Sequence, residues 1–440
     1  MSSVTELQTR TIWVQWLPLA ATWAMMAAEG IIIQSMLSRL PNASIELAAF
    51  GVAIGIAFIV ESPIIMLLSA STAYVKDAES YRTVRFLSML FSGGVTLVMG
   101  ALLIEPVYNW LSLTVLALPH EIADRVYGCI AALSVWPGTI GIRRFYQGVL
   151  IGAQMSRAIA IGTMFRIATI LSGSILVLFW LRPSMNSAII GSSILVAAVT
   201  IEMIATWLMA RSAVRSFMLR PDSTGDRLTF GKLVNLYIPL ALTSIIATGL
   251  GPVLSAFMAR FPSAVASLAA FSVVDGFVFQ FRSPTFAYQE VAIAFFGRYG
   301  VRNQRVTLVG YEIAAIATII LGIILISPLV NFIYGVFPYQ LEQALIPLAI
   351  TATWILLPLP LANAVYSIEL ARLIALRKTR HVTYSTLIEV GGTILTLALM
   401  TALGMLLVGL YAACIAITLG KIVASMYLLA LTSSYRSRRA

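Results

Sequence analysis

The chain has 440 residues, of which 60% are hydrophobic and only 11% charged, and its mean hydropathy is +0.93. Soluble domains are nearer a quarter charged, so this composition excludes a set of water-soluble domains. Lys and Arg outnumber Asp and Glu by 29 to 18, a surplus that in a membrane protein reports topology, because basic residues gather on the cytoplasmic side.

Apolar windows of about twenty residues mark membrane helices. They predict twelve spans, near 12–38, 47–70, 84–105, 126–150, 158–181, 187–209, 233–259, 268–296, 306–333, 342–369, 381–403 and 405–432. The expected fold class is an all-α polytopic membrane protein. The first apolar stretch is too long for a signal peptide and follows a weakly charged N-terminus. With a cytoplasmic N-terminus and alternating spans, 22 basic residues are cytoplasmic, Arg143, Arg144 and Arg372 among them. Four lie outside (Arg39, Arg125, Arg182, Arg260) and three within spans (Arg166, Arg282, Lys421). This asymmetry predicts cytoplasmic termini and a place in the plasma (inner) membrane. Cys129 and Cys414 both sit in apolar stretches, so neither a disulfide framework nor a thiolate metal site is expected.

The chain repeats itself. Residues 16–63 laid over 237–284, at a constant shift of 221, match at 17 of 48 positions. Pro18-Leu19-Ala20 meets Pro239-Leu240-Ala241, Arg39 meets Arg260, and Ser62-Pro63 meets Ser283-Pro284. Shared apolar bias does not align Pro, Arg and Phe in one register, so the repeat is real. Each repeat holds six spans, which makes the repeats parallel and suits a central cavity between two lobes. The expected division is a six-helix lobe over 1–210, a cytoplasmic linker over 211–232 and a second six-helix lobe over 233–440.

Ionisable groups at membrane depth cost about 2.5–3.5 kcal/mol each and persist where they are paired or line water. Arg166 with Glu202, and Glu389 with Lys421, read as ion pairs within helix hairpins. Glu290, Glu312 and Glu369 sit near cytoplasmic ends. Glu29, Glu61, Asp275 and Arg282 remain as the candidate substrate- and ion-coupling residues. Glu61 and Arg282 hold equivalent repeat positions before Ser-Pro and are expected to approach a central cavity from opposite lobes. Asp275 precedes Arg282 by seven residues, about 10 Å along a helix, a gap read as needing a bridging water or substrate. Gly249, Gly251, Pro252 and Pro358 are candidate hinges; Pro137, Pro347 and Pro360 are also expected to interrupt helices. Arg143 and Arg144, read at the cytoplasmic end of the fourth span, could attract an anionic substrate from the cell interior; they also satisfy the positive-inside rule without a further role, and that reading is favoured.

Several chemistries lack their signatures. No phosphate loop, zincin pattern or serine nucleophile elbow occurs, and His120 and His381 are far apart. No enzyme activity, cofactor, metal or nucleic-acid partner is expected.

The loop after the second span, Thr72 to Arg82, lacks the motif of major facilitators. Each half instead opens with Pro-Leu-Ala and then Leu-Ala-Ala-Phe, and Tyr146-Gln147-Gly148-Val149-Leu150 ends the fourth span. These segments resemble the MATE-type transporters of the MOP flippase superfamily. Within it, Leu47 to Pro63, Glu29 eighteen residues before Leu47, and Pro252 to Arg260 are similar to the progressive ankylosis (ANK) proteins. The resemblance implies a monomeric secondary transporter exporting a small organic anion of the nucleotide, pyrophosphate or citrate type, with H+ or Na+ as a possible coupling ion. Proton- or sodium-coupled efflux of organic cations, and flipping of a lipid-linked precursor, are the alternative readings.

Overall fold

A computed structural model describes residues 7–153, 155–181, 186–219, 229–376, 378, 380–403 and 408–437. The middle of the expected linker, 220–228, and Arg182 lie outside these residues. Among the described residues there are eighteen α-helices and no strand. In chain order they are α1 (Thr9–Leu37), α2 (Ala43–Glu61), α3 (Leu67–Tyr74), α4 (Ala78–Ala101), α5 (Glu105–Asn109) and α6 (His120–Leu133). Next come α7 (Trp136–Gly152), α8 (Ser156–Leu176), α9 (Ser187–Met218), α10 (Phe230–Thr248), α11 (Leu250–Arg260) and α12 (Ala264–Tyr299). The last six are α13 (Gln304–Ile326), α14 (Leu329–Gly335), α15 (Leu345–Leu356), α16 (Leu359–Ala375), α17 (Arg380–Ala402) and α18 (Gly409–Ser437).

Ten helical segments among the described residues are long and apolar enough to cross a membrane. The spans read near 126–150 and 233–259 are not single helices. The first is α6 and α7, interrupted at Ser134 and Val135, and the second is α10 and α11, interrupted at Gly249. Proline explains both breaks. Pro137 and Pro252 have no N–H to donate to the carbonyls of Leu133 and Thr248, the last residues of α6 and α10. Pro358 separates α15 from α16 in the same way. Pro347 and Pro360, expected to interrupt helices, fall in the first turns of α15 and α16, where a missing N–H costs nothing.

The repeated Ser-Pro has a local reason. A proline leaves the carbonyl four residues earlier without its helical donor. The Ser62 hydroxyl donates to that carbonyl, Ile59, at 2.6 Å, and the Ser283 hydroxyl donates to Gln280 at 3.1 Å. In the first half the helix still tightens into a 3-10 turn over Ser62–Ile64, which leaves Glu61 as the last residue of α2. In the second half α12 runs through Pro284 without a break.

Two compact units divide the chain. One, here the N-unit, is Met36–Arg260; the other, the C-unit, is Met1–Ser35 with Phe261–Ala440. The units therefore differ from the sequence halves by an exchange of the first helix of each repeat.

In the N-unit, α7 packs against α3, α4 and α9, and glycines set how closely. A Cβ at Gly148 would stand 2.5 Å from Ser71 Cβ and 2.6 Å from the Leu68 carbonyl oxygen, so only glycine lets α7 lie against α3. Glu46, wholly buried on α2, accepts the Ala188 N–H at 2.6 Å in the first turn of α9 and stands 3.5 Å from Arg125 on α6. It caps a helix whose own preceding residue, Asn186, makes no side-chain cap.

In the C-unit, α1 is tied to α12 by polar contacts. Trp16 Nε1 donates to the Pro284 carbonyl at 3.0 Å, and Gln34 Nε2 donates to the Ser272 carbonyl at 2.7 Å. The core gathers Leu7, Ile12, Tyr288, Phe296, Ile313 and Ile368 from α12, α13, α16 and the start of the chain. Large apolar side chains such as Leu97, Phe179, Ile323 and Leu395 are exposed along helix flanks, as lipid-facing surfaces require.

Candidate functional site

The densest set of buried charges lies in the N-unit. Along α7, Trp136, Arg143 and Gln147 fall seven and four residues apart, which is one helix face; Arg144 sits about 100° further round. Facing them are Glu61 at the end of α2, Arg166 on α8 and Glu202 on α9. Gly162 brings α8 close to α9, since a Cβ there would meet the Thr206 hydroxyl at 3.2 Å and Glu202 Cγ at 3.4 Å.

Glu202, 1% exposed, is the hub. Arg143, 5% exposed, hydrogen-bonds and ion-pairs with Glu202 Oε2. Arg166 Nη1 stands 3.5 Å from the same oxygen, and Gln147 Nε2 donates to Oε1 at 3.3 Å. Glu61, also buried, accepts the indole N–H of Trp136 at 2.5 Å. The guanidinium carbon of Arg166 lies 6.0 Å from the centre of the Trp136 ring, so one indole links the two carboxylate groups of the cluster.

Arg144 completes the cluster and differs from the rest. It lies in the electrostatic reach of Arg143, Arg166, Glu61 and Glu202. Like those of Arg143 and Arg166, its Nε is buried without a hydrogen bond; unlike them, it forms no ion pair among the described residues. The cluster thus sets three guanidinium groups against two carboxyl groups, so the cations outnumber the acids, and among the described residues Arg144 alone of the three makes no ion pair. A guanidinium offers five donors in a planar fork suited to carboxylate or phosphate.

Sequence reasoning named Glu61, Arg166 and Glu202 here, weighed Arg143 and Arg144 as a pair that could attract an anion before favouring a topology role, and gave Trp136 and Gln147 no part in a site. Both arginines lie well inside α7, and Arg372, also counted with the cytoplasmic charges, is buried on α16. The signal was present: Arg143 and Gln147 are one turn apart, two turns beyond Trp136.

The C-unit holds the other sequence-derived residues, and there the charges are paired. Arg282 Nη1 stands 3.5 Å from Asp275 Oδ1. The axial rise had argued against this direct contact. Helical side chains lean toward the N-terminus, and a long arginine on the C-terminal member of the pair covers the two turns. Lys421 Nζ is 2.5 Å from Glu389 Oε1 and 4.3 Å from the Tyr366 ring centre. Glycine again sets the distance: a Cβ at Gly420 would stand 2.7 Å from the Glu389 carbonyl oxygen. Glu369 is buried with Arg372 and accepts the Thr432 hydroxyl at 2.5 Å. Glu29 is buried on α1. Of the four candidate coupling residues, Glu61 thus belongs to the N-unit, and Glu29, Asp275 and Arg282 to the C-unit.

By sequence the chain matches no family model and no curated protein. Its backbone does match solved structures. An inward-facing multidrug resistance MATE family transporter of the MOP superfamily superposes with a TM-score of 0.65 at 12% identity, covering 96% of this chain and 99% of that one. An outward-facing conformation of a multidrug resistance MATE family transporter gives 0.67 at 12% identity, covering 98% and 96%. The lipid II flippase MurJ in an inward closed conformation gives 0.69 at 15% identity, covering 94% and 87%. The fold is that of the MATE-type transporters of the MOP superfamily. With ten apolar helices long enough to span a bilayer, the chain is a multi-pass integral membrane protein.

Proposed function

We propose that this protein is a secondary transporter of ANK-like type that exports a small organic anion by alternating access between two lobes. The observation that carries the reading is Arg144, a half-buried cation beside two other arginines that makes no ion pair or hydrogen bond among the described residues. Such a charge is costly at membrane depth and is retained where a ligand completes it. A surplus of positive charge disfavours the alternative of organic-cation efflux.

Glu29, Glu61, Asp275 and Arg282 are the proposed coupling groups, exchanging partners or protons with H+ or Na+ as the coupling ion. The breaks at Gly249, Gly251 and Pro252, and at Pro358, are the proposed hinges. The proposed topology has twelve spans, with α6–α7 and α10–α11 as the broken fourth and seventh, both termini in the cytoplasm, and the protein a monomer of the inner membrane.

The test is efflux from proteoliposomes loaded with radiolabelled organic anions or cationic dyes. Anion efflux that falls in Arg144→Gln supports the reading; dye efflux indifferent to Arg144 refutes it. The likeness to MurJ favours a second reading, transport of a lipid-linked anionic headgroup. Flipping of such a lipid without flux of soluble anions would select it.

A further inference from the structure

The charge of the N-unit cluster constrains the charge of its occupant. We infer that this cluster takes a small organic anion of one net negative charge, of the carboxylate class, with Arg144 as its direct contact. The inference rests on the anion-export reading above and specifies its substrate class.

The charged groups facing one another come from four helices: Glu61 on α2, Arg143 and Arg144 on α7, Arg166 on α8 and Glu202 on α9. Trp136 and Gln147 add neutral donors, and Arg85, on α4, is exposed to solvent. In the state with Glu61 ionised, three cations and two anions sum to one positive charge. Among groups buried in this way an uncompensated charge is penalised whichever sign it carries. A monoanion brings the sum to zero. Pyrophosphate or a nucleoside triphosphate, the larger anions suggested by resemblance to the ANK proteins, leaves the cluster with more negative charge than the surplus it removes.

The contacts divide the work among the arginines. Glu202 engages Arg143, Arg166 and Gln147, and Glu61 engages Trp136. Arg144 alone of the three makes no ion pair or hydrogen bond among the described residues, and two coplanar carboxylate oxygens match its planar fork.

Calorimetric titration of the full-length protein in nanodiscs, at neutral pH and low chloride, with lactate, succinate and pyrophosphate tests this. Lactate is expected to bind the wild type most tightly. Arg144→Gln is expected to weaken lactate binding about 10- to 100-fold, the loss of a charge-assisted bidentate contact. Arg144→Lys keeps the charge without the fork, so lactate weakens while the order of the three ligands holds; a reversed order counts against charge matching. Glu61→Gln raises the surplus by one, and succinate is then expected to overtake lactate. If pyrophosphate binds the wild type most tightly, charge matching is wrong while anion export stands. Lactate binding that is unchanged in Arg144→Gln removes Arg144 as the contact. No binding of any of the three, together with no anion efflux from proteoliposomes, removes both readings.

Discussion

Glu202→Gln is the sharpest test of how the arginine cluster is held. The substitution keeps volume and some hydrogen bonding but removes the charge that Arg143 and Arg166 share, Arg143 in direct contact and Arg166 at 3.5 Å. Both the carboxylate and Arg143 are at most 5% exposed, so water cannot replace the lost counter-charge. Removing one partner of a buried pair costs about 3–5 kcal/mol, most of it the penalty of the charge left behind. The double variant Arg143→Met with Glu202→Met deletes one cation and one anion and keeps the surplus of the wild type. It is expected to lie within about 2 kcal/mol of the wild type, because a buried pair repays little more than its own desolvation. Equilibrium unfolding in mixed micelles, followed by circular dichroism, measures both. A single variant as stable as the wild type, or a double variant less stable than the single, would sink the argument that Glu202 is the anionic hub.

Glu46→Gln is expected to lose about 1–3 kcal/mol in the same assay, since the carboxylate both caps the start of α9 and faces Arg125; an unchanged midpoint would show that α9 is capped by another group. Gly148→Ala is expected to cost about 1–3 kcal/mol through overpacking, because its Cβ would press on Ser71 and on the Leu68 carbonyl. A neutral result there would mean that α3 and α7 separate freely. Trp16→Phe removes the donor to the Pro284 carbonyl and should cost about 1 kcal/mol, and a larger loss would point to packing as the indole's main contribution. Glu29→Gln and Glu61→Gln are each expected to abolish gradient-driven flux in proteoliposomes; flux unchanged in both would remove the coupling role of these carboxylates.

Composition and hydropathy made the helical membrane fold legible because a bilayer leaves little else for such a sequence to do. Proline chemistry placed the breaks before Pro137, Pro252 and Pro358 with equal economy. What one-dimensional reading misses is which helix neighbours which. The repeat pairs the first and seventh spans in sequence, yet α1 packs with the second half and α10–α11 with the first. The basis is Gly55 and Gly276, which occupy the same repeat position. A Cβ on Gly55 would touch Pro252 of α11 at 3.7 Å, and one on Gly276 would stand 2.8 Å from Gln34 Oε1 of α1. Each glycine is thus the seat for the opening helix of the other repeat, and a glycine in an apolar run carries no label saying which helix it admits. The neighbours of Arg143 and Arg144 escape a one-dimensional reading for a related reason. Hydropathy drew one span over 126–150, which put Arg143 and Arg144 near its cytoplasmic end. The helix that carries them, α7, runs from Trp136 to Gly152, which leaves them about two turns inside that same end. A positive-inside count assigns charges by distance from a span's end, so it does not show that Arg143 and Arg144 meet Glu61, Arg166 and Glu202. An adjacent Arg pair followed by Gln one turn later is the pattern that should prompt the opposite reading, because Gln147 and Arg143 face one carboxylate and leave Arg144 turned aside from it.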